Sequence, residues 1–309
     1  MRLTRHLDLK LSYACNNNCV HCVIADQRDA TLAQGRRDFR TTAEVGRELA
    51  EAAARGVTLV TFTGGEPTIR RDLPALVRAA IALGMSVGIQ TNGRLLSRPE
   101  VRGPLLGHSV RFVVAVHGPD AVIHDRITRA PGAFGQTMDA VRALVAAGEK
   151  VSGKVVISRY NAAVLDRIAG VLAEAGVARA SFTFPHALGN AGRAFDEVVP
   201  RYAEVLPSLL AALDRMGEGG VTEAVPPCLL GRHAGRASEA AWRGTLSSEV
   251  RQLDQGPRDW TRDRRTEGKA KAAACAGCAL DASCEGVWRE YLEAFGGGEM
   301  RPVGPDAKR

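Results

Sequence analysis

The sequence predicts an α/β protein built on a parallel sheet of βα units that closes into an open or partial barrel. Three observations carry this expectation. Six short apolar runs, at 7–11, 58–62, 86–90, 110–116, 151–157 and 180–184, alternate with longer amphipathic stretches, the pattern of strands joined by crossover helices. Several amphipathic stretches stop at glycine, at Gly56, Gly84, Gly148 and Gly176, the common left-handed end of a helix. Six such units are fewer than the eight of a full barrel.

The first run, Leu7-Asp8-Leu9-Lys10-Leu11, alternates apolar and polar residues with the period of a strand. Helices are expected at 42–55, 73–83, 134–147 and 164–175, the second opening after Asp72 with Pro74 near its start. After Pro185 the pattern changes. Residues 200–216 read as a helix broken by Gly217-Glu218-Gly219-Gly220, and 231–273 hold many charges and few long apolar runs. Cys275, Cys278 and Cys284 follow close together, then an amphipathic helix near 287–295. The expected division is a barrel over 1–195 and a small cysteine-rich domain over 196–309.

With 309 residues and 45% hydrophobic content the chain can bury a large core. It holds no apolar run near the roughly 20 residues of a membrane-spanning helix, and Met1–Leu7 has no signal-peptide core. A cytoplasmic location is expected, where cysteine clusters are more often metal sites than disulfides. The net charge of +7 would suit an anionic partner. Its basic residues are mostly arginines scattered along helical stretches, with one denser patch at 258–271, and aromatics are only 5%, which leaves little for stacking bases. A solvated basic surface is the favoured reading, and nucleic-acid binding is not expected.

Directly after the first strand stands Cys15-Asn16-Asn17-Asn18-Cys19-Val20-His21-Cys22. Three thiols at this spacing cannot all pair as disulfides but suit a soft metal centre. A cubane cluster ordinarily takes four cysteines, so three would leave one iron open for chemistry. The second motif, Thr61-Phe62-Thr63-Gly64-Gly65-Glu66-Pro67, stands where the next strand ends. Paired glycines permit close backbone approach, and Glu66 can accept hydrogen bonds from a ligand ammonium. Ligands of parallel sheets bind at the carboxyl ends of strands, where both motifs fall.

Over residues 5–190 these motifs, in this order, resemble the radical S-adenosylmethionine (radical SAM) superfamily. The resemblance implies a partial (β/α)6 TIM-like barrel. It makes Cys15, Cys19 and Cys22 the ligands of a [4Fe-4S] cluster whose fourth iron is chelated by the amino and carboxylate groups of SAM. Gly64, Gly65 and Glu66 would line the site of the methionine amino group. His21 stands where the family commonly has an aromatic residue. By the same resemblance Thr91 and Asn92, in Gln90-Thr91-Asn92-Gly93, are expected to contact SAM, and Arg159 to offer a cation to its carboxylate. His117, His186 and Asn190, at or after strand ends, are further candidates for the barrel mouth.

Cys275-x2-Cys278-x5-Cys284, with Cys228 upstream in Val225-Pro226-Pro227-Cys228, can satisfy one further cubane or one tetrahedral zinc. The spacing is similar to part of the SPASM/Twitch extension of radical SAM proteins, which carries auxiliary [4Fe-4S] clusters. The SPASM pattern continues to a fourth cysteine where this chain has Trp288. Four cysteines outside the first motif set a ceiling of one auxiliary cluster, as in Twitch-type domains.

The resemblance implies an enzyme that receives an electron from reduced flavodoxin or ferredoxin and cleaves SAM to a 5′-deoxyadenosyl radical. That radical would abstract hydrogen from a peptide or a small natural-product or cofactor precursor, with the auxiliary cluster assisting electron transfer or substrate binding. An RNA-modifying radical SAM enzyme and a non-catalytic zinc- or iron-binding protein are the alternatives.

Overall fold

The computed structural model describes residues 3–253 and 255–304. Among these, nine strands form one sheet: β1 Thr4–Ser12, β2 Leu59–Gly64, β3 Ser86–Thr91, β4 Arg111–Ala115, β5 Lys150–Val156, β6 Ala180–Thr183, β7 Gly220–Glu223, β8 Leu246–Arg251 and β9 Arg258–Asp259. Their order across the sheet is β7-β6-β5-β4-β3-β2-β1-β8-β9. Every pairing is parallel except β8 with β9. The six expected strands are β1 to β6, and the architecture is a partial TIM-like barrel.

The alternation within β1 decides what faces where. Leu7, Leu9 and Leu11 are buried in one core with Val45, Leu49 and Ala52 of helix Thr42–Ala54, each leucine worth about 1.5–3 kcal/mol of apolar burial. Their neighbours His6, Asp8 and Lys10 line a cavity instead. The helical layer is thus dry and part of the barrel interior is polar. Helix Thr42–Ala54 begins with a capping box, Thr41 accepting from the Glu44 amide and Glu44 from the Thr41 amide.

Helices Leu73–Ala82, Ala133–Ala146 and Leu165–Glu174 fall where the amphipathic stretches place them. Two others, Ala25–Ala33 and Ala121–Thr128, were not expected. Past residue 195 the same sheet continues. The glycines read as a helix breaker lead directly into β7, which pairs with β6 through Ala180 opposite Gly220. β8 pairs with β1 through Thr4 opposite Leu246. Between them Ala237 forms a lone parallel bridge to Thr222, so residues 237–246 cross the seam the partial barrel leaves open.

Helix Arg289–Phe295 is anchored by an aromatic stack. Tyr202 lies 4.2 Å from Phe184, a close stack, and 4.5 Å from Tyr291 between ring centroids. A two-stranded antiparallel ribbon, β10 Lys269–Ala270 with β11 Val287–Trp288, brackets the segment that carries Cys275, Cys278 and Cys284. Among the described residues no helix is long and apolar enough to cross a membrane.

Candidate active site

The loop after β1 is held from three sides. The Asn18 and Val20 amides donate to the carbonyls of Thr128 and Ile127 at 3.0 and 2.9 Å, docking the loop on the end of helix Ala121–Thr128. Asn190 donates from its backbone amide to the Cys22 carbonyl at 3.0 Å and from Nδ2 to the Cys19 carbonyl at 2.9 Å. Arg94 donates to the Asn16 carbonyl and, at 2.9 Å, to Asn17 Oδ1. So held, half-buried Cys15, Cys19 and Cys22 open onto one cavity of about 840 Å³. Arg94 carries no sequence signal beyond its place after the strand-end Asn92-Gly93.

Burial pushes the Cys15 thiol up to about 11 and raises those of Cys19 and Cys22 as well. Bare, these groups stay protonated at neutral pH. Bound iron favours their thiolates, so the donor set fits a cluster that supplies positive charge on the cavity side.

Gly64 and Gly65 line the same cavity, but what demands glycine there is the chain itself. A Cβ on Gly65 would stand 2.0 Å from the Ala14 carbonyl oxygen, and one on Gly64 2.2 Å from that of Ser12. The Gly65 amide donates to the Ser12 carbonyl at 2.7 Å and the Glu66 amide to the Ala14 carbonyl at 2.8 Å. The glycine turn is therefore pressed against the chain that leads into the cysteine loop.

Glu66 is 2% exposed and its carboxylate is occupied from within. Oε1 accepts from the Thr68 amide at 3.0 Å and from the Thr68 and Thr91 hydroxyls at 2.6 Å; Oε2 accepts from the Asn92 amide at 2.7 Å. It is not among the cavity-lining residues, whereas Thr91 and Asn92 are. Asn92 Nδ2 also donates to Asn16 Oδ1 at 2.7 Å. Glu66 thus ties the end of β2 to the end of β3, and Asn92 ties β3 to the cysteine loop.

Arg159 is not brought to the cavity. Its guanidinium pairs with both carboxylate oxygens of Glu204 at 3.1 and 3.2 Å, partly in solvent. His117 and His186 do line it. His21 meets the edge of His117 at 4.5 Å, and His117 stacks on His124 at 5.9 Å. His117 Nδ1 accepts from the Val156 amide at 3.3 Å and His124 Nδ1 from the His117 amide at 3.2 Å, which fixes the remaining proton on Nε2. Burial holds His21 and His124 down to about 4 and His117 well below its usual value. The result is a neutral imidazole wall beside the thiols; His124 was not foreseen, because only the fold brings the three rings together.

Five acids line the cavity among the described residues, and each has a cation of its own. Asp8 pairs with Lys10 at 3.0 Å, Glu223 with Lys154 at 2.5 Å, Glu239 with Lys269 at 2.7 Å, Asp281 with Lys271 at 2.6 Å and Glu285 with Arg264 at 2.8 Å. Cys228, Cys275, Cys278 and Cys284 together rim a second, much smaller cavity of about 20 Å³. Among the described residues no three metal-ligating side chains converge as a single ion would require; the four thiols stand around walls. Cys284 lines both cavities.

A thiol-bearing loop after the first strand opens into a polar cavity of a partial TIM-like barrel, a donor set of the kind a metal-cluster enzyme uses. Comparison with known proteins places it further. The Radical SAM superfamily matches residues 9–172, more than half the chain, and the protein belongs to that superfamily: it is a radical SAM enzyme, of a class that uses a [4Fe-4S] cluster and SAM. The AdoMet-dependent heme synthase of Methanosarcina barkeri is 30% identical over 192 residues, 62% of this chain and 53% of the relative. Mycofactocin maturase MftC of Mycolicibacterium smegmatis is 34% identical over 176 residues, 55% of this chain and 42% of the relative. The chain spans about half the length of these relatives that it matches. SuiB of Streptococcus suis bound to the precursor peptide SuiA superposes with a TM-score of 0.61 at 16% identity, over 99% of this chain and 75% of that one; at that identity the likeness is one of fold.

Proposed function

We propose that this chain modifies a peptide by radical SAM chemistry, aided by one auxiliary [4Fe-4S] cluster in a Twitch-like segment within residues 196–309. The observation that carries the reading is that Cys15, Cys19 and Cys22 share a cavity with Cys284, one of four thiols grouped in the C-terminal segment. A peptide substrate is supported by the maturase MftC among the relatives and by the peptide complex of SuiB. In this reading Cys15, Cys19 and Cys22 hold the first cluster, and Cys228, Cys275, Cys278 and Cys284 hold the second. Reduced flavodoxin or ferredoxin supplies the electron.

Cluster and SAM, when bound, supply a radical able to abstract hydrogen from an unactivated carbon. The chain's own residues supply position and shelter. Gly64, Gly65, Thr91 and Asn92 frame the SAM side of the cavity, with Glu66 holding the frame from behind. Asn190 and Arg94 keep the thiol loop in register with the strand ends. The neutral histidines add no charge next to the cluster. Four thiols spread around one small cavity would hold a cubane, which would supply electron-transfer capacity beside the substrate site, where Cys284 faces both cavities.

The test is a pair of variants, reconstituted anaerobically. Cys19→Ala should abolish 5′-deoxyadenosine formation. Cys278→Ala should lower iron from about eight to about four per chain and block turnover while 5′-deoxyadenosine still forms. Full iron retention in the Cys278 variant sinks the auxiliary cluster.

A further inference from the structure

Tryptophan is scarce here, three residues in 309, yet Trp242, Trp260 and Trp288 all line the large cavity. Trp288 is buried and stacks on His186 at 3.9 Å. Trp242 and Trp260 are half-buried, so part of their surface remains available. Trp242 sits on residues 237–246, which cross the seam between β7 and β8. Opposite it, the Arg264 guanidinium lies 5.7 Å from the Trp242 ring.

The charges on this wall are unbalanced. Each of the five acids lining the cavity is already matched to a cation, whereas Arg243 and Arg265, exposed and lining the same cavity, have no carboxylate partner among the described residues. The surplus positive charge of the cavity therefore sits beside its free aromatic surface. Arginine's planar fork matches a carboxylate in two parallel hydrogen bonds. Half-buried tryptophan offers an apolar face with little rotamer entropy to lose. An amine would meet only neutralised acids here.

We propose that the seam wall formed by Trp242, Trp260, Arg243 and Arg265 selects a peptide segment in which a carboxylate side chain neighbours an aromatic or bulky apolar one. This deepens the peptide reading above and rests on it. The carboxylate docks on the two arginines at the rim while its apolar neighbour packs on the tryptophans within. Exposed arginines on many proteins are merely solvated, and the test separates that case.

The experiment is calorimetric titration of the anaerobically reconstituted full chain with three N-acetylated, C-amidated pentapeptides. They share a phenylalanine and differ only at the next residue: glutamate, glutamine or lysine. The glutamate peptide should bind about tenfold more tightly than the glutamine peptide, and the margin should shrink as salt screens the rim. In the double variant Arg243→Gln/Arg265→Gln that margin should vanish while the glutamine peptide binds as before; both sites are exposed, so folding is spared. Trp242→Leu should weaken all three peptides together. Equal affinities, no saturable binding at millimolar peptide, or a preference that survives the double variant would overturn the proposal. Wild-type 5′-deoxyadenosine formation, assayed on the same preparation, keeps the two readings apart: its absence sinks the radical SAM function, whereas its presence without charge preference sinks only this inference.

Discussion

Replacing Glu66 with glutamine separates two roles for this residue, ligand contact and internal brace. All the hydrogen bonds to the Glu66 carboxylate described above are donated to it, by two backbone amides and two hydroxyls. With its oxygen placed at Oε1, glutamine keeps three of them but sets its NH2 against the Asn92 amide. Turned over, it keeps Asn92 and faces the Thr68 amide. Either way one backbone N–H is left without an acceptor in a site 2% exposed, which costs about 1–3 kcal/mol. Against this, burial raises the Glu66 carboxyl, so glutamine also relieves the cost of a buried charge. Glu66→Gln should therefore destabilise the cluster-free protein by about 1–2 kcal/mol, the lower part of that range. The assay is anaerobic urea unfolding, read as a lower midpoint at unchanged slope, alongside SAM binding to the reconstituted enzyme. Unchanged cluster-free stability with weakened SAM binding would refute the brace and restore the ammonium contact expected from the sequence.

Two further outcomes follow from placement and charge. Arg159→Gln should leave SAM affinity within about twofold, a small fraction of 1.4 kcal/mol, because its guanidinium is spent on Glu204 outside the cavity; a tenfold loss would put it back in the SAM site. His124 is held down to about 4 by burial, against about 6.5 in the unfolded chain. The unfolded state then binds the extra proton between these values, so stability falls as pH drops from about 6.5 toward 4, by about 3 kcal/mol for this residue. His124→Gln should remove that share of the acid sensitivity; an unchanged pH profile would mean the ring is not held neutral.

The sheet was legible where chemistry and period agree. β1 to β6 are apolar runs because their buried residues face a helical layer, and the matching helices show their buried stripe in the sequence. Helix Ala25–Ala33 was not legible: its sequence ADQRDATLA buries only Ala25 and Thr31. β8, with the sequence LSSEVR, buries only Ser248, so it has no apolar face to announce a strand, and only its pairing with β1 makes it one. The glycines at 217–220 read as a break because glycine ends helices, though here they also start β7. At the site, spacing was enough to find the thiols and the strand-end motifs. It could not tell a residue that faces the ligand from one that braces it, which is why Glu66 and Arg159 differ from their expected placement. The seam wall has no sequence signature either, since Trp242 and Trp260 converge only through the fold.

One anaerobic measurement tests the two-cluster enzyme most directly: iron and sulfide per reconstituted chain, followed by 5′-deoxyadenosine after addition of dithionite and SAM. Two clusters predict about eight irons per chain and formation of 5′-deoxyadenosine. A fully loaded protein that makes none with SAM and reductant, or one that takes up zinc in place of iron, would contradict it.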